Sequence, residues 1–243
     1  MEERAAQLAS RVSAVTDPEL RVAYVRHELG LMTPEEVADL VLLAAGRVAT
    51  REPPHPELML SISLALADPA SEATRRAAVR AAAERGLMEV VLLLGRVEAE
   101  DEGGAMRVPD FGLGRPLTLG ERKSIARRND RNLILRVLRD PHPDVIHIVL
   151  GNPALTEDDV VRLCAHRPIA GDVLRVVFRS TRWIVRYRIR RTIVLNPFTP
   201  RDVALQLATH LTAQDARLVR ESKDLPEELR RACERQGSGA PIH

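Results

Sequence analysis

The residues best suited to chemistry in this chain gather in one stretch, "STRWIVRYRIRRTIVLNPFTP", Ser180 to Pro200. Aromatic residues make up only 2% of the protein, yet Trp183, Tyr187 and Phe198 fall inside this stretch and Phe178 just before it. Between residues 162 and 191 there are nine arginines and a single acid, Asp172. Arginine brings a permanent charge and a planar fork of donors that fits carboxylate or phosphate, and rings offer faces for stacking. That mixture suits an anionic partner. Read as one helix over 182–194, the stretch sets Arg182, Arg186 and Arg190 in a single stripe, with Trp183 and Tyr187 in the stripe beside it. Arg175 and Arg179 on the preceding helix complete a candidate partner-binding face. A second basic cluster is formed by Arg122, Lys123, Arg127, Arg128 and Arg131. In the competing reading Trp183, Ile184 and Tyr187 are the largest core residues of a buried helix, and the arginines lay their methylene stems over apolar surface. The expectation is a core helix first, with an arginine edge available for binding.

No catalytic motif accompanies these residues. Cys164 and His166 are two apart and His142 and His147 five apart, neither being a spacing that presents metal ligands on one helix face. Cys164 shares an apolar stripe with Val160 and Leu163, where a thiol is inert. Asp110-Phe111-Gly112 repeats a protein-kinase tripeptide without the glycine-rich loop, strand lysine or catalytic loop that give it meaning. Gly112 and Gly114 form Gly-x-Gly with no preceding strand, so no dinucleotide site is expected. Paired acids at Asp158-Asp159 and Glu227-Glu228 sit at helix starts, where dipole compensation accounts for them. A Trp–Asp–Arg constellation of the kind used by HEAT-like DNA glycosylases lacks its aromatic cleft here and is set aside. The sequence therefore implies no cofactor and no metal.

The elements that position these residues read as helices throughout. The apolar content is 45% of the chain, built from Ala, Leu, Val and Ile, which with abundant Arg and Glu leans helical. Thr followed three residues later by an acid recurs at Thr16/Glu19, Thr33/Glu36, Thr118/Glu121, Thr156/Asp159, Thr199/Asp202 and Thr212/Asp215. Each pair can cap the free N–H groups of a first helical turn. The periodicity predicts helices at about 2–14, 18–29, 33–46, 57–67, 70–85, 87–98, 118–127, 130–139, 143–150, 157–166, 169–178, 182–194, 200–210, 213–221 and 226–236.

Charge divides the chain. Residues 1–110 carry 12 Lys and Arg against 19 Asp and Glu, whereas residues 111–243 carry 24 against 15. Composition thus suggests an acidic helical half over 1–100, a Gly- and Pro-rich linker or ordered loop over 101–116, a basic helical half over 117–236, and a disordered tail over 237–243. In the loop, Phe111, Leu113 and Leu117 could fold back over an apolar groove as an ordered arm. Only Lys123 and Lys223 are lysine; the other 34 basic residues are arginine, a skew that coding composition explains. Two isolated cysteines, a polar N-terminus and no long apolar run point to a cytoplasmic protein away from membranes.

The helix starts also recur at longer range. "TDPELRVAYVRHELGLMTPEEV" (16–37) and "RDPHPDVIHIVLGNPALTEDDV" (139–160) share an Asp-Pro to Thr distance, and 43 residues separate Thr156 from Thr199. A period of roughly 40 residues built from helix pairs is the signature of a stacked α-solenoid. "VLGNPALTEDDVVRLCA" and "VLNPFTPRDVALQLA" resemble the units of bacterial leucine-rich-repeat-variant proteins, right-handed α-solenoids related in shape to HEAT arrays. The resemblance covers about residues 116–236 and only fragments of 1–100. It implies an all-α solenoid and a habit of binding. The N-terminal cysteine cluster of some members has no counterpart here. The function expected from the sequence is a non-enzymatic scaffold that holds a protein or acidic peptide on the arginine-rich helices around 175–191. The first rival is nucleic-acid binding through the same residues, and the second an enzyme with a site under the 98–116 loop.

Overall fold

Five Asx-Pro pairs punctuate the chain, and each turns it in the same way. The carboxylate or amide oxygen of Asp17, Asp68, Asp140, Asn152 and Asn196 accepts the backbone N–H two residues on, at 2.7–3.0 Å. Proline between them fixes φ and has no N–H to compete, so the Asx side chain dictates the turn. The computed structural model describes residues 1–49, 55–96, 107–112 and 114–238, and every regular element among them is a helix. The all-α expectation is met. No helix among the described residues is long and apolar enough to cross a membrane.

The chain forms two compact units, Met1–Val97 with Arg201–His243 and Glu98–Pro200. The boundary at Pro200 runs through what composition marks as one basic half. The first unit holds α1 (Glu2–Ala14), α2 (Pro18–Gly30), α3 (Pro34–Ala49), α4 (His55–Ala67), a single 3-10 turn, α5 (Glu72–Glu84) and α6 (Met88–Leu94). After the other unit the chain returns to it as α14 (Arg201–Ala208), α15 (Ala213–Glu221) and α16 (Glu227–Ser238). Helix α4 is apolar nearly all round and is the unit's centre, packed by α1, α2, α3, α5 and α14. Buried Gln206 on α14 donates to the Leu93 carbonyl at the end of α6 at 2.7 Å. Helix α6 stops at Gly95, where a Cβ would lie 2.4 Å from the Val91 carbonyl oxygen. The helix expected over 87–98 is therefore shorter. At the other end, α16 continues through Ser238, past the start of the expected tail; residues 239–243 lie outside the described residues.

The second unit holds α7 (Leu119–Ala126), α8 (Arg131–Val137), α9 (Pro143–Leu150), α10 (Glu157–Ala165), α11 (Gly171–Arg179), α12 (Thr181–Ile184) and α13 (Tyr187–Val194). Its pairing recurs: α7 packs on α9 and α10 on α13. After α9, the Asn152 amide donates to the carbonyls of Ala126 and Arg128 at the end of α7. After α13, the Asn196 amide donates likewise to Cys164 and His166 at the end of α10. Carbonyls at a helix C-terminus have no partner within the helix, so each buried asparagine satisfies two of them while fixing one helix against another.

The capping threonines perform unequally. Thr118/Glu121 and Thr156/Asp159 form reciprocal boxes, Thr33/Glu36 makes the same two bonds, and Thr212 accepts from the Asp215 N–H. Asp17 rather than Thr16 caps α2, because its carboxylate reaches two first-turn N–H groups. Thr199 donates to the Ile193 carbonyl at 2.6 Å. Of the three apolar loop residues, Leu117 is buried, Phe111 is half-buried, and Leu113 lies outside the described residues.

Candidate binding surface

The single helix expected over 182–194 is two. Helix α12 ends at Ile184, Arg186 is extended (φ −84°, ψ 122°), and α13 begins at Tyr187. Arg190 makes the break tolerable: its Nη1 donates to the carbonyls of Ile184 and Val185 at 3.0 and 2.8 Å, supplying bonds that a continuous helix would have drawn from the backbone. The expected Arg182/Arg186/Arg190 stripe therefore does not exist as the face of one helix.

Trp183 is the largest fully buried side chain, 2% exposed. Its indole Nε1 donates to the Leu150 carbonyl, the last of α9, at 2.8 Å. Arg182 donates toward the same oxygen at 3.5 Å and to the Asn152 carbonyl at 3.3 Å, with its guanidinium 4.6 Å from the Trp183 ring centroid. Arg186 approaches that ring at 5.4 Å. Such cation–ring contacts add to packing, and the cations also complement the negative end of the α9 dipole. Phe178 and Arg175 are buried as well. Tyr187 is half-buried with the Arg190 guanidinium 5.8 Å from its ring. The core expectation for Trp183 is what the structure shows.

The first turn of α10 gathers cations from two sides. Arg131 holds the fully buried Asp159 carboxylate with two bonds, Nη2 to Oδ1 being 2.6 Å. Arg186 reaches Glu157 at 2.9 Å and Arg188 reaches Asp158 at 2.8 Å. The Arg131 guanidinium, aided by the Thr156 hydroxyl and N–H, pulls the Asp159 pKa down to about 2 against the cost of burial. Arg167 donates to the Leu195 carbonyl at 2.7 Å, at the end of α13. Arg175, Arg179, Arg190 and Arg191 are likewise engaged in interactions of their own.

The second expected cluster splits in two. Arg122 is buried, and its Nη1 bonds both oxygens of buried Asp140 at 2.6 and 2.7 Å. Lys123 pairs with Asp144 at 2.6 Å and thereby lowers that carboxyl's pKa. Arg127 and Arg128 are exposed, and Arg127 donates to the Lys123 carbonyl.

One basic surface escaped the sequence reading. Along α8 and the turn that follows it, Ile134, Val137 and Leu138 are buried, while Asn132, Leu135, Arg136 and Arg139 are exposed at spacing i, i+3, i+4, i+7. That spacing was readable, but Arg136 and Arg139 are single arginines in an apolar context and carried no cluster signal.

Burial raises the Cys164 thiol pKa far above its ordinary value and that of Cys233 to about 11. Among the described residues no three His, Cys, Asp or Glu side chains are placed to hold a metal ion. Of the 98–116 loop, residues 98–106 lie outside the described residues. In comparisons with known proteins the chain matches no family model, no curated protein and no solved structure.

Proposed function

We propose that this chain is a non-catalytic helical-repeat binding module, of α-solenoid type, that holds an acidic protein segment through its second unit. The observation that carries the reading is charge left over after folding. The second unit, residues 98–200, holds 18 Lys and Arg against 13 Asp and Glu, and residues 107–200 hold the same 18 against 9. Arg167 and Arg182 donate to the neutral carbonyls of Leu195 and Asn152, so they build the fold without being neutralised there. A unit left with a net positive field attracts anions and speeds their encounter. The recurring α7/α9 and α10/α13 pairs, each closed by an asparagine 44 residues from its counterpart, support the solenoid reading.

A protein partner is favoured over single-stranded nucleic acid because Trp183 and Phe178 are turned inward. Base stacking needs an open aromatic face, and Phe178 and Trp183 are buried. Two buried unpaired cysteines fit a reducing, cytoplasmic setting. The test is fluorescence anisotropy of labelled poly-glutamate beside labelled oligo-dT, at about 50 and about 200 mM salt. Expected is salt-sensitive poly-glutamate binding that exceeds oligo-dT binding at equal charge. Tighter binding of oligo-dT would transfer the function to nucleic acid, and no poly-glutamate binding at the lower salt would remove the acidic-partner reading.

A further inference from the structure

We infer that the exposed stripe of α8, Asn132, Leu135, Arg136 and Arg139 with Arg128 just before the helix, is the docking surface for an acidic segment of a partner protein carrying aliphatic side chains among its carboxylates. The inference rests on the acidic-partner reading and locates it.

The carboxylates between residues 107 and 200 are engaged elsewhere. Of the nine between residues 107 and 200, seven lie within 4.0 Å of a cationic nitrogen, and none of those nitrogens belongs to Arg128, Arg136 or Arg139. The other two, Asp110 and Asp130, accept backbone N–H groups. Among the described residues these three arginines have no ion-pair partner. A carboxylate arriving at Arg136 or Arg139 gains a charge-assisted pair with no partner among the described residues to displace. The same carboxylate arriving at Arg186 or Arg188 must first break a pair with Glu157 or Asp158, so its gain is only a difference.

Apolar surface supplies the second half of the recognition. Leu135 is 39% exposed in the middle of the stripe. A leucine so placed between arginines gains by burial under an aliphatic side chain, and burial also excludes water from the flanking ion pairs. The stripe has a neighbour too, since a Cβ on Gly112 would come within 3.9 Å of Arg136 Nη1, so the chain at Gly112 lies beside that guanidinium. No aromatic ring lies on the stripe, which leaves nothing on it for a base to stack against.

The test compares two double variants in the full chain, Arg136→Ala with Arg139→Ala and Arg186→Ala with Arg188→Ala. The probes are labelled poly-glutamate and a labelled glutamate–leucine copolymer. Both variants remove exposed side chains, and circular dichroism melts establish that each is folded. Expected for the α8 variant is a loss of copolymer affinity of about tenfold or more, against less than about threefold for the other. The charge-conserving double variant, Arg136→Lys with Arg139→Lys, should restore most of it, because charge rather than fork geometry dominates. Leu135→Ser should weaken the copolymer and leave poly-glutamate unchanged. If wild type binds but the loss falls on the Arg186/Arg188 variant, or equally on both, α8 is not the surface while the acidic-partner reading stands. If wild type binds neither polymer, that reading and this one fall together.

Discussion

The two arginine-rich regions of residues 107–200 use one side chain to opposite ends. Around 175–191 guanidiniums face inward or sideways, onto the carbonyls of Leu150, Asn152, Ile184 and Val185 and the carboxylates of Glu157 and Asp158. On the α8 stripe, Arg136 and Arg139 face out beside Leu135. Density of charge in the sequence thus marks where the fold needs donors, and the sparse arginines of α8 keep a charge that no described carboxylate pairs. Short helices explain why. Each helix end exposes carbonyls that its own backbone cannot satisfy, and a unit made of helices of four to nine residues has many ends. Arginine, with five donors on a long stem, reaches them without competing as an acceptor.

The largest effects should come from the inward-facing set. Trp183→Ala removes the biggest buried side chain and orphans the Leu150 carbonyl, so it should destabilise the second unit by about 3–5 kcal/mol. Trp183→Phe keeps most of the packing and loses the indole donor, so its cost should be about 1–2 kcal/mol. Urea unfolding read by circular dichroism measures both. Equal, small losses for the two would contradict the buried role of the indole. Arg122→Ala belongs in the same range, about 3–5 kcal/mol, because it strands the fully buried Asp140 without its cation. Asp140 would retain only the His142 N–H, and an Arg122→Ala protein of wild-type stability would show that the pair is dispensable.

How much of this was legible follows from which signals are local. Helix content and most starts could be read, since a threonine and an acid three residues apart act on their own first turn. Thr118/Glu121 and Thr156/Asp159 close as their spacing requires. Trp183 could be read either as core or as part of a partner-binding face, and its burial selects the core reading. The break at Val185 and Arg186 was not, because the donor that makes it tolerable, Arg190, reads as another member of a basic run. The division at Pro200 was equally hidden: the packing of α14 against α4 and α6 depends on contacts more than a hundred residues apart, such as Gln206 to Leu93. The α8 surface was missed since exposure is decided by what neighbouring helices leave uncovered.

A smaller effect separates the regions by pH. The Asp159 carboxyl titrates near 2 in the folded protein, against an ordinary value near 3.8. Its folded pKa is depressed, so the stability it adds is full above about pH 4 and disappears as pH falls through about 2. That difference corresponds to about 2 kcal/mol at neutral pH. Asp159→Asn should therefore lower the neutral-pH stability of the second unit and flatten its loss between about pH 4 and 2, as followed by urea midpoints across pH. A variant whose acid profile is parallel to that of wild type would mean that the Arg131–Asp159 pair contributes nothing to folding.

The smallest effects sharpen the comparison most, because they separate binding from folding. Arg188→Ala breaks an exposed pair with Asp158 and a longer one with Glu157, and such pairs contribute between nothing and about 1 kcal/mol. Arg136→Ala and Arg139→Ala break no pair at all among the described residues, so each should stay within about 0.5 kcal/mol of wild type. Like-charge relief can even make them slightly stabilising, since each removes a positive charge from a unit that has too many. Thermal melts at low and high salt distinguish these cases. Arg188→Ala should lose its small effect as salt screens the pair, whereas any gain from Arg136→Ala should shrink with salt from the stabilised side. A salt-insensitive loss of several kcal/mol at Arg136 would place that side chain in the fold instead, and the contrast between the two regions would no longer hold.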